Sequence, residues 1–159
     1  MAWKCFQTID MSSELEKFDP RKAVKFLLRH GHSAKLGLQY RDHGADWCEL
    51  ELPWREDLVG EVDRGILASG PIISMLDMAS GLSIWTKHQK FIAVATLDLR
   101  VDYQRPARKE TAVVGHVECY RLSRSAAFVR GFAHDGDPQD TVATMSGVFM
   151  TIAGGTTRV

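Results

Sequence analysis

The stretch from Gly65 to Trp85 constrains the fold most, because its 21 residues carry one charge, Asp77. A segment this long and apolar must be enclosed by lipid or by protein. Gly65, Ser69, Gly70, Pro71, Ser74, Ser80, Gly81 and Ser83 dilute it, and no second such stretch exists. A membrane span is therefore rejected in favour of a loop leading into a buried helix. Pro71 presets the φ of a first helical residue, and Ser69 or Gly70 suits the cap. Ile72, Ile73, Met75, Leu76, Met78, Ala79 and Leu82 then point in nearly every direction, the pattern of a helix surrounded by protein.

The flanking sequence supplies what surrounds it. Asp19-Pro20 opens a helical stretch that Gly31 can end. Trp47 to Leu52 alternates, with Cys48, Leu50 and Leu52 on one face and Glu49 and Glu51 on the other, and Pro53 stops it. After the apolar helix come four strand-like runs, 91–103, 111–122, 126–134 and 141–152. In the first, Phe91, Ala93, Ala95, Leu97, Leu99, Val101 and Tyr103 are expected to share one face. Short connections at 122–126 and 135–139 favour antiparallel hairpins. One central helix against a long antiparallel sheet is an α+β architecture. With 159 residues, 45% of them hydrophobic, one domain is expected over residues 20–153, with an N-terminal extension (1–19) and a C-terminal tail (154–159).

Composition removes several function classes. Lys plus Arg equals Asp plus Glu at 20 each, which argues against a nucleic-acid binder. Cys5, Cys48 and Cys119 form no CxxC pair, so neither a disulfide framework nor a zinc ribbon is expected. The opening residues lack the basic-then-apolar layout of a signal peptide. A reducing, cytoplasmic setting is inferred. His30-x-His32 lacks further ligands at metal-binding spacing, and Gly65-x4-Gly70 has Pro71 where a phosphate-binding loop needs lysine. His88, His116 and His134 are scattered, and Trp47, Trp54 and Trp85 read as packing residues. Charge is uneven, however: residues 86–130 hold nine basic against four acidic side chains, a bias that would attract an anionic small molecule.

Asp77 is the chemical anomaly. A carboxylate in an apolar helix is costly unless it is paired, hydrogen-bonded or neutralised. It is either a locally satisfied, partly exposed acid or a group held in a cleft for base or nucleophile work. Ser74 and Gly81 lie on its helical face, so a ligand or partner chain can approach along a small, polar stripe. Free N–H groups at the helix start are donors for an oxyanion. They stand two turns from Asp77, about 10 Å, too far for one carbonyl to touch both. A symmetric dimer resolves this by bringing the donor of one chain to the acid of the other.

Specific segments carry a family resemblance: Leu36-Gly37-Leu38, Asp57-Leu58-Val59, Gly65 to Gly70, Ile72 to Asp77, Thr96 to Ala107, and Ser123-Arg124-Ser125. In order and spacing, over roughly residues 20–153, the chain resembles the PaaI-like branch of the hotdog-fold acyl-CoA thioesterases. The resemblance implies a hotdog fold, a long helix wrapped by a curved antiparallel sheet. It implies dimers or dimers of dimers, and acyl-CoA thioester hydrolysis between two chains with no cofactor beyond the coenzyme A of the substrate. Asp77 matches the acidic nucleophile or general base, Thr96 the residue positioning water or substrate, and the Ser69 N–H the oxyanion donor of the opposite subunit. Gly70, Leu97 and Asp98 fall in the matched motifs as substrate contacts. Arg124 and Ser125 match a turn near coenzyme A, and Arg105 and Arg108 are candidates for its phosphates. Where the family loop reads Asn-x-x-Gly-x-x-His-Gly-Gly, this chain has Val62, Ala68 and Ser69 in place of the Asn, the His and the first Gly of the pair. Those replacements leave a non-catalytic acyl-CoA-binding dimer as the alternative. A dehydratase of the same fold is disfavoured, because no histidine follows Asp77 before His88.

Overall fold

A computed structural model describes residues 19–152; the expected extension up to residue 18, with Cys5, and the expected tail lie outside the described residues. Two short helices come first, α1 (Pro20–Leu27) and α2 (Gly31–Leu36). Asp19 caps α1, its Oδ1 accepting the Arg21 N–H at 2.9 Å. Gly31 does not end this helix. The chain leaves α1 after Leu27, and Gly31, at φ 65°, opens α2, a conformation that costs glycine little. Gly37, also left-handed, ends α2 with its N–H on the Ala34 carbonyl.

Strands β1 (Gln39–His43) and β2 (Trp47–Leu52) follow, then a small hairpin of β3 (Val59–Glu61) and β4 (Ile66–Leu67), which the periodicity did not anticipate. The alternation of β2 holds: Cys48, Leu50 and Leu52 are buried against α3 (Ser69–His88), the long central helix. Ala68 is the N-cap of α3, so Pro71 is its third residue rather than its first. The proline is tolerated there because the first-turn N–H groups have no intrahelical acceptor to lose.

Four strands complete the fold: β5 (Ala93–Tyr103), β6 (Val113–Leu122), β7 (Ala126–His134) and β8 (Thr141–Ile152). All pairings are antiparallel, and the six-stranded sheet has the order β1-β2-β6-β7-β8-β5. The core lies between this sheet and α3, where Met75, Leu76, Ala79 and Leu82 meet Leu50, Val117, Val129 and Phe149. Ser80, Ser83 and Thr86 are buried there too, each returning its hydroxyl to a carbonyl of α3. On the far face of the sheet, Trp47 stacks on His116 at 5.0 Å and His116 on Phe132 at 5.2 Å. His116 also meets Glu49 at 2.9 Å. No helix among the described residues is long and apolar enough to cross a membrane.

Two expectations change here. The helix is not surrounded on every side: Ile73, Ser74, Asp77, Met78, Gly81 and Trp85 form a partly exposed stripe, along which Asp77, Gly81 and Trp85 meet the edge strand β5 and its lead-in. That strand also does not keep one face. Thr96 pairs with Phe149 and Asp98 with Val148, leaving Leu97 as the extra residue of a β-bulge. Ile92 and Val94 pack on the core before the bulge, and Leu99 and Val101 after it. The inward set therefore switches from even to odd numbers at Leu97, which is 61% exposed.

Candidate functional site

The site begins with the stripe left open along α3. Asp77 is half-buried, and the Thr96 hydroxyl donates to its Oδ1 at 2.8 Å. The bulge sets this contact, since Thr96 is the last inward residue before the register shifts. One turn toward the N-terminus, the Ser74 hydroxyl donates to the Gly70 carbonyl at 3.0 Å and lies 3.3 Å from His32 Nε2 of α2.

At the start of α3 the geometry is different. Ser69 and Gly70 are exposed, and their N–H groups belong to the first turn, where no helical carbonyl is available. The Tyr103 hydroxyl donates to the Ser69 carbonyl at 2.9 Å, tying the far end of β5 to the helix start. Burial pushes the Tyr103 phenol up from its ordinary range. Ala68, in the family's histidine position, is bonded through its N–H to the Leu58 carbonyl. Its β-carbon sits so close to Gly60 that a Cβ there would come within 3.0 Å. Val62, in the family's asparagine position, is 84% exposed. A cavity of about 300 Å³ opens beside Ser69, lined also by Ala68, Ile72 and Tyr103.

A second cavity of about 510 Å³ is basic, lined by Arg64, Arg105, Arg108 and Lys109 with Asp140 as its acid. All four of these cations are engaged. Arg105 grips Asp135 with both Nη groups, at 2.8 and 2.7 Å, and gives its Nε to Asp140 at 2.8 Å. Arg108 gives its backbone N–H to Asp135 at 2.6 Å and Nη2 to Asp140 at 3.1 Å. Asp135 is 3% exposed, and the Arg105 guanidinium, with the Arg108 N–H, holds its carboxyl down to about 2. Arg64 and Lys109, on the cavity rim, pair with exposed Glu61 and Glu110. Among the described residues, no group of three or more His, Cys, Asp or Glu side chains could hold a metal ion.

Within one chain the expected residues do not converge. Asp77 and Thr96 meet, with Leu97 and Asp98 beside them on the exposed bulge. Ser69 and Gly70 lie two turns away, about 12 Å along α3. Arg124 and Ser125 sit on the β6–β7 turn, where Ser125 accepts the Thr151 N–H at 2.8 Å. Ala127 and Thr96 both face Phe149 from opposite sides, so that turn is two strand spacings from Thr96. Sequence reasoning missed the Tyr103–Ser69 tie and the approach of His32 to Ser74. Tyr103 stood in the quoted motif and His32 in the His30-x-His32 pair, but only the fold brings the one to the helix start and the other to Ser74.

A fold of this kind, with its one acid on the open side of the central helix, is the hotdog architecture. The family model "Thioesterase superfamily" matches residues 64–142. The medium/long-chain acyl-CoA thioesterase YigI of Escherichia coli is 34% identical over 88 residues, covering 47% of this chain and 57% of the relative. A putative esterase of Halobacterium salinarum is 36% identical over 87 residues, covering 50% of this chain and 54% of its own. The chain thus spans little more than half the length of these relatives. Among solved structures, a Pseudomonas aeruginosa protein is 33% identical with a TM-score of 0.75, covering 83% of this chain and 98% of that one. The Escherichia coli PaaI protein has a TM-score of 0.72 at 14% identity, covering 85% and 94%, a likeness of fold alone. Over residues 64–142 this chain belongs to the thioesterase superfamily.

Proposed function

We propose that the chain hydrolyses acyl-CoA thioesters at a seam between two copies, with Asp77 as general base or nucleophile. The observation that carries this reading is the Thr96 hydroxyl held on the Asp77 carboxylate at 2.8 Å, on the open side of the helix. The name of the Escherichia coli relative supports the substrate class. The need for a second copy follows from distance: the Ser69 donor and the Asp77 acid of one helix stand about 12 Å apart. Among the described residues the edge strand β5 has one unpaired side, on which a second copy can dock.

In the general-base route, water adds to the thioester carbonyl while Asp77 takes its proton. The new C–O bond makes a tetrahedral oxyanion that accepts the N–H of Ser69 from the second copy. Collapse breaks the C–S bond, and the proton held by Asp77 passes to the departing sulfur, giving free acid and coenzyme A. In the nucleophilic route, Asp77 itself forms the C–O bond and expels the thiolate, and water then opens the acyl–aspartyl anhydride. Thr96 fixes the carboxylate rotamer in both. No metal enters either route. Leu97 and Asp98 border the approach to the acid, and Gly70 of the second copy accompanies its Ser69 there. Arg108, Arg64 and Lys109 are assigned to the coenzyme A moiety, whose phosphates suit the basic cavity; Arg124 and Ser125, at the opposite end of β7, join them only from the other copy. Arg105 acts there through its grip on Asp135.

The exposed Val62 and the Ala68 substitution favour a second reading, a dimer that binds acyl-CoA without cleaving it. A panel of acyl-CoAs with a thiol-reactive dye separates the two. Thiol release that depends on Asp77 supports hydrolysis; ligand-induced thermal stabilisation with no thiol released supports binding alone. A monomer at working concentration with full turnover would overturn the shared seam.

A further inference from the structure

The backbone at the start of α3 is held from outside the helix. Upstream, the Ala68 N–H is bonded to the Leu58 carbonyl at 2.9 Å, and a β-carbon on Gly60 would stand 3.0 Å from Ala68. Downstream, the Tyr103 hydroxyl donates to the Ser69 carbonyl at 2.9 Å. The next carbonyl, that of Gly70, is held from within the helix by the Ser74 hydroxyl at 3.0 Å. The Ala68–Ser69 peptide, which carries the Ser69 N–H, therefore lies between a tied atom on either side. Tyr103 is itself mounted on a rigid frame. It pairs with Ala143 of β8, the Gln104 N–H after it is bonded to the Val142 carbonyl at 2.9 Å, and Arg105 is locked by Asp135 and Asp140. Burial raises its phenol, so the hydroxyl keeps the proton it donates at neutral pH.

We infer that Tyr103 is a positioning residue: through the Ser69 carbonyl it fixes the Ser69 N–H against the cavity of about 300 Å³ that both residues line. The inference rests on the hydrolase reading for the role of that N–H as oxyanion donor. The need is particular to this chain. Where the family loop has histidine and then glycine, this chain has Ala68 and Ser69. Alanine brings no side-chain hydrogen bond to the turn, so the turn is fixed through its backbone. A donor already aimed when charge develops on the oxygen needs no reorganisation, whereas a swinging donor loses much of that advantage. The Tyr103 bond also polarises the Ser69–Gly70 peptide and strengthens the Gly70 N–H beside it. Tyr103 touches no reacting atom in this role. It serves the acid of the other copy, because the Ser69 it holds faces that acid.

Tyr103→Phe keeps the ring that lines the cavity and removes the bond. With an acyl-CoA and a thiol-reactive dye, at a temperature where melting curves show the variant fully folded, kcat is expected to fall about tenfold with KM within about twofold. Ser69→Pro removes the donor itself at a first helical position, where proline fits, and is expected to lower kcat about a hundredfold or more. Adding Tyr103→Phe to that variant is expected to lower kcat no further, since both changes act on one N–H. Binding gives a second readout. A trifluoromethyl ketone analogue of acyl-CoA, which takes up water as a tetrahedral hydrate, is expected to bind Tyr103→Phe about tenfold more weakly. A thioether analogue, which has no carbonyl, is expected to bind it unchanged. Full kcat in Tyr103→Phe, a further loss of about tenfold on the proline background, or equal weakening of both analogues overturns the positioning role. If Ser69→Pro does not fold, the two analogues with Tyr103→Phe alone decide. If the unaltered protein releases no thiol from any acyl-CoA, the hydrolase reading fails instead. A preference for the ketone that Tyr103→Phe abolishes then keeps the role of Tyr103, and no such preference rejects it.

Discussion

Gly147 on β8 lies against Asp98 on β5 so closely that a β-carbon on the glycine would stand 2.9 Å from the Asp98 carbonyl oxygen. This approach occurs at the bulge that turns Thr96 toward Asp77. This close packing of two backbones lies two residues from Thr96, whose hydroxyl meets Asp77.

Gly147→Ala is expected to force β5 and β8 apart at the bulge, costing about 1–3 kcal/mol of stability. Acyl-CoA turnover is expected to fall by more than stability explains, because Thr96 moves with the bulge. Urea titration together with kcat at 20 °C checks this; a variant that is destabilised yet fully active would show that the bulge does not position Thr96.

Asp77→Asn keeps the shape of the carboxylate and removes its basicity. Turnover is expected to drop by about 10²–10⁴-fold with KM and melting temperature little changed, since Asp77 is half-exposed and not a core residue. Thr96→Val removes the 2.8 Å bond and is expected to cost about tenfold in kcat, with Thr96→Ser recovering most of it. Single-turnover hydrolysis in ¹⁸O-water separates the two routes: label found in Asp77 means direct attack. Undiminished hydrolysis by the asparagine variant removes Asp77 from the chemistry.

Asp135 ties stability to acid pH. Its folded value, about 2, lies below the ordinary 3.8 because Arg105 and the Arg108 N–H favour the ionised form. The stabilisation is therefore fully present above the unfolded value and is lost as pH falls from about 4 toward 2; it is worth about 2 kcal/mol. Asp135→Asn leaves Arg105 with Asp140 alone and is expected to cost about 3–5 kcal/mol at neutral pH. It is also expected to flatten the pH dependence of the urea midpoint between about pH 4 and 2. An equally steep acid loss in the variant would place the linkage on other carboxylates.

Burial pushes the Cys48 thiol up to about 12 and the Cys119 thiol to about 11. Both are expected to stay silent toward a thiol-reactive dye at pH 8 in the native state and to react on unfolding. Mass spectrometry of the labelled protein reads this by site. Native labelling of Cys48 at a rate matching a free thiol would mean that β2 opens readily.

The sequence by itself determined the elements and their class. The apolar run ending at Trp85, the alternation of 47–52 and the four strand runs reflect burial at a fixed local period, and α3, β2 and β5 to β8 appear within two residues at each end of those expectations, apart from the extension of α3 to His88. The same locality marked Asp77 as an anomaly, whereas Thr96 entered through the family resemblance and only the fold brings the two into contact. Tertiary structure decided the rest. The two faces of residues 91–103 are both apolar enough to be buried in their first half, so alternation could not reveal that Leu97 is a bulge and that the inward set changes there. Arg105 reads as a free cation until the fold brings Asp135, thirty residues on, against it. Hydrophobic period is a property of neighbours along the chain, whereas register, bulges and charge pairing depend on which distant strand arrives alongside.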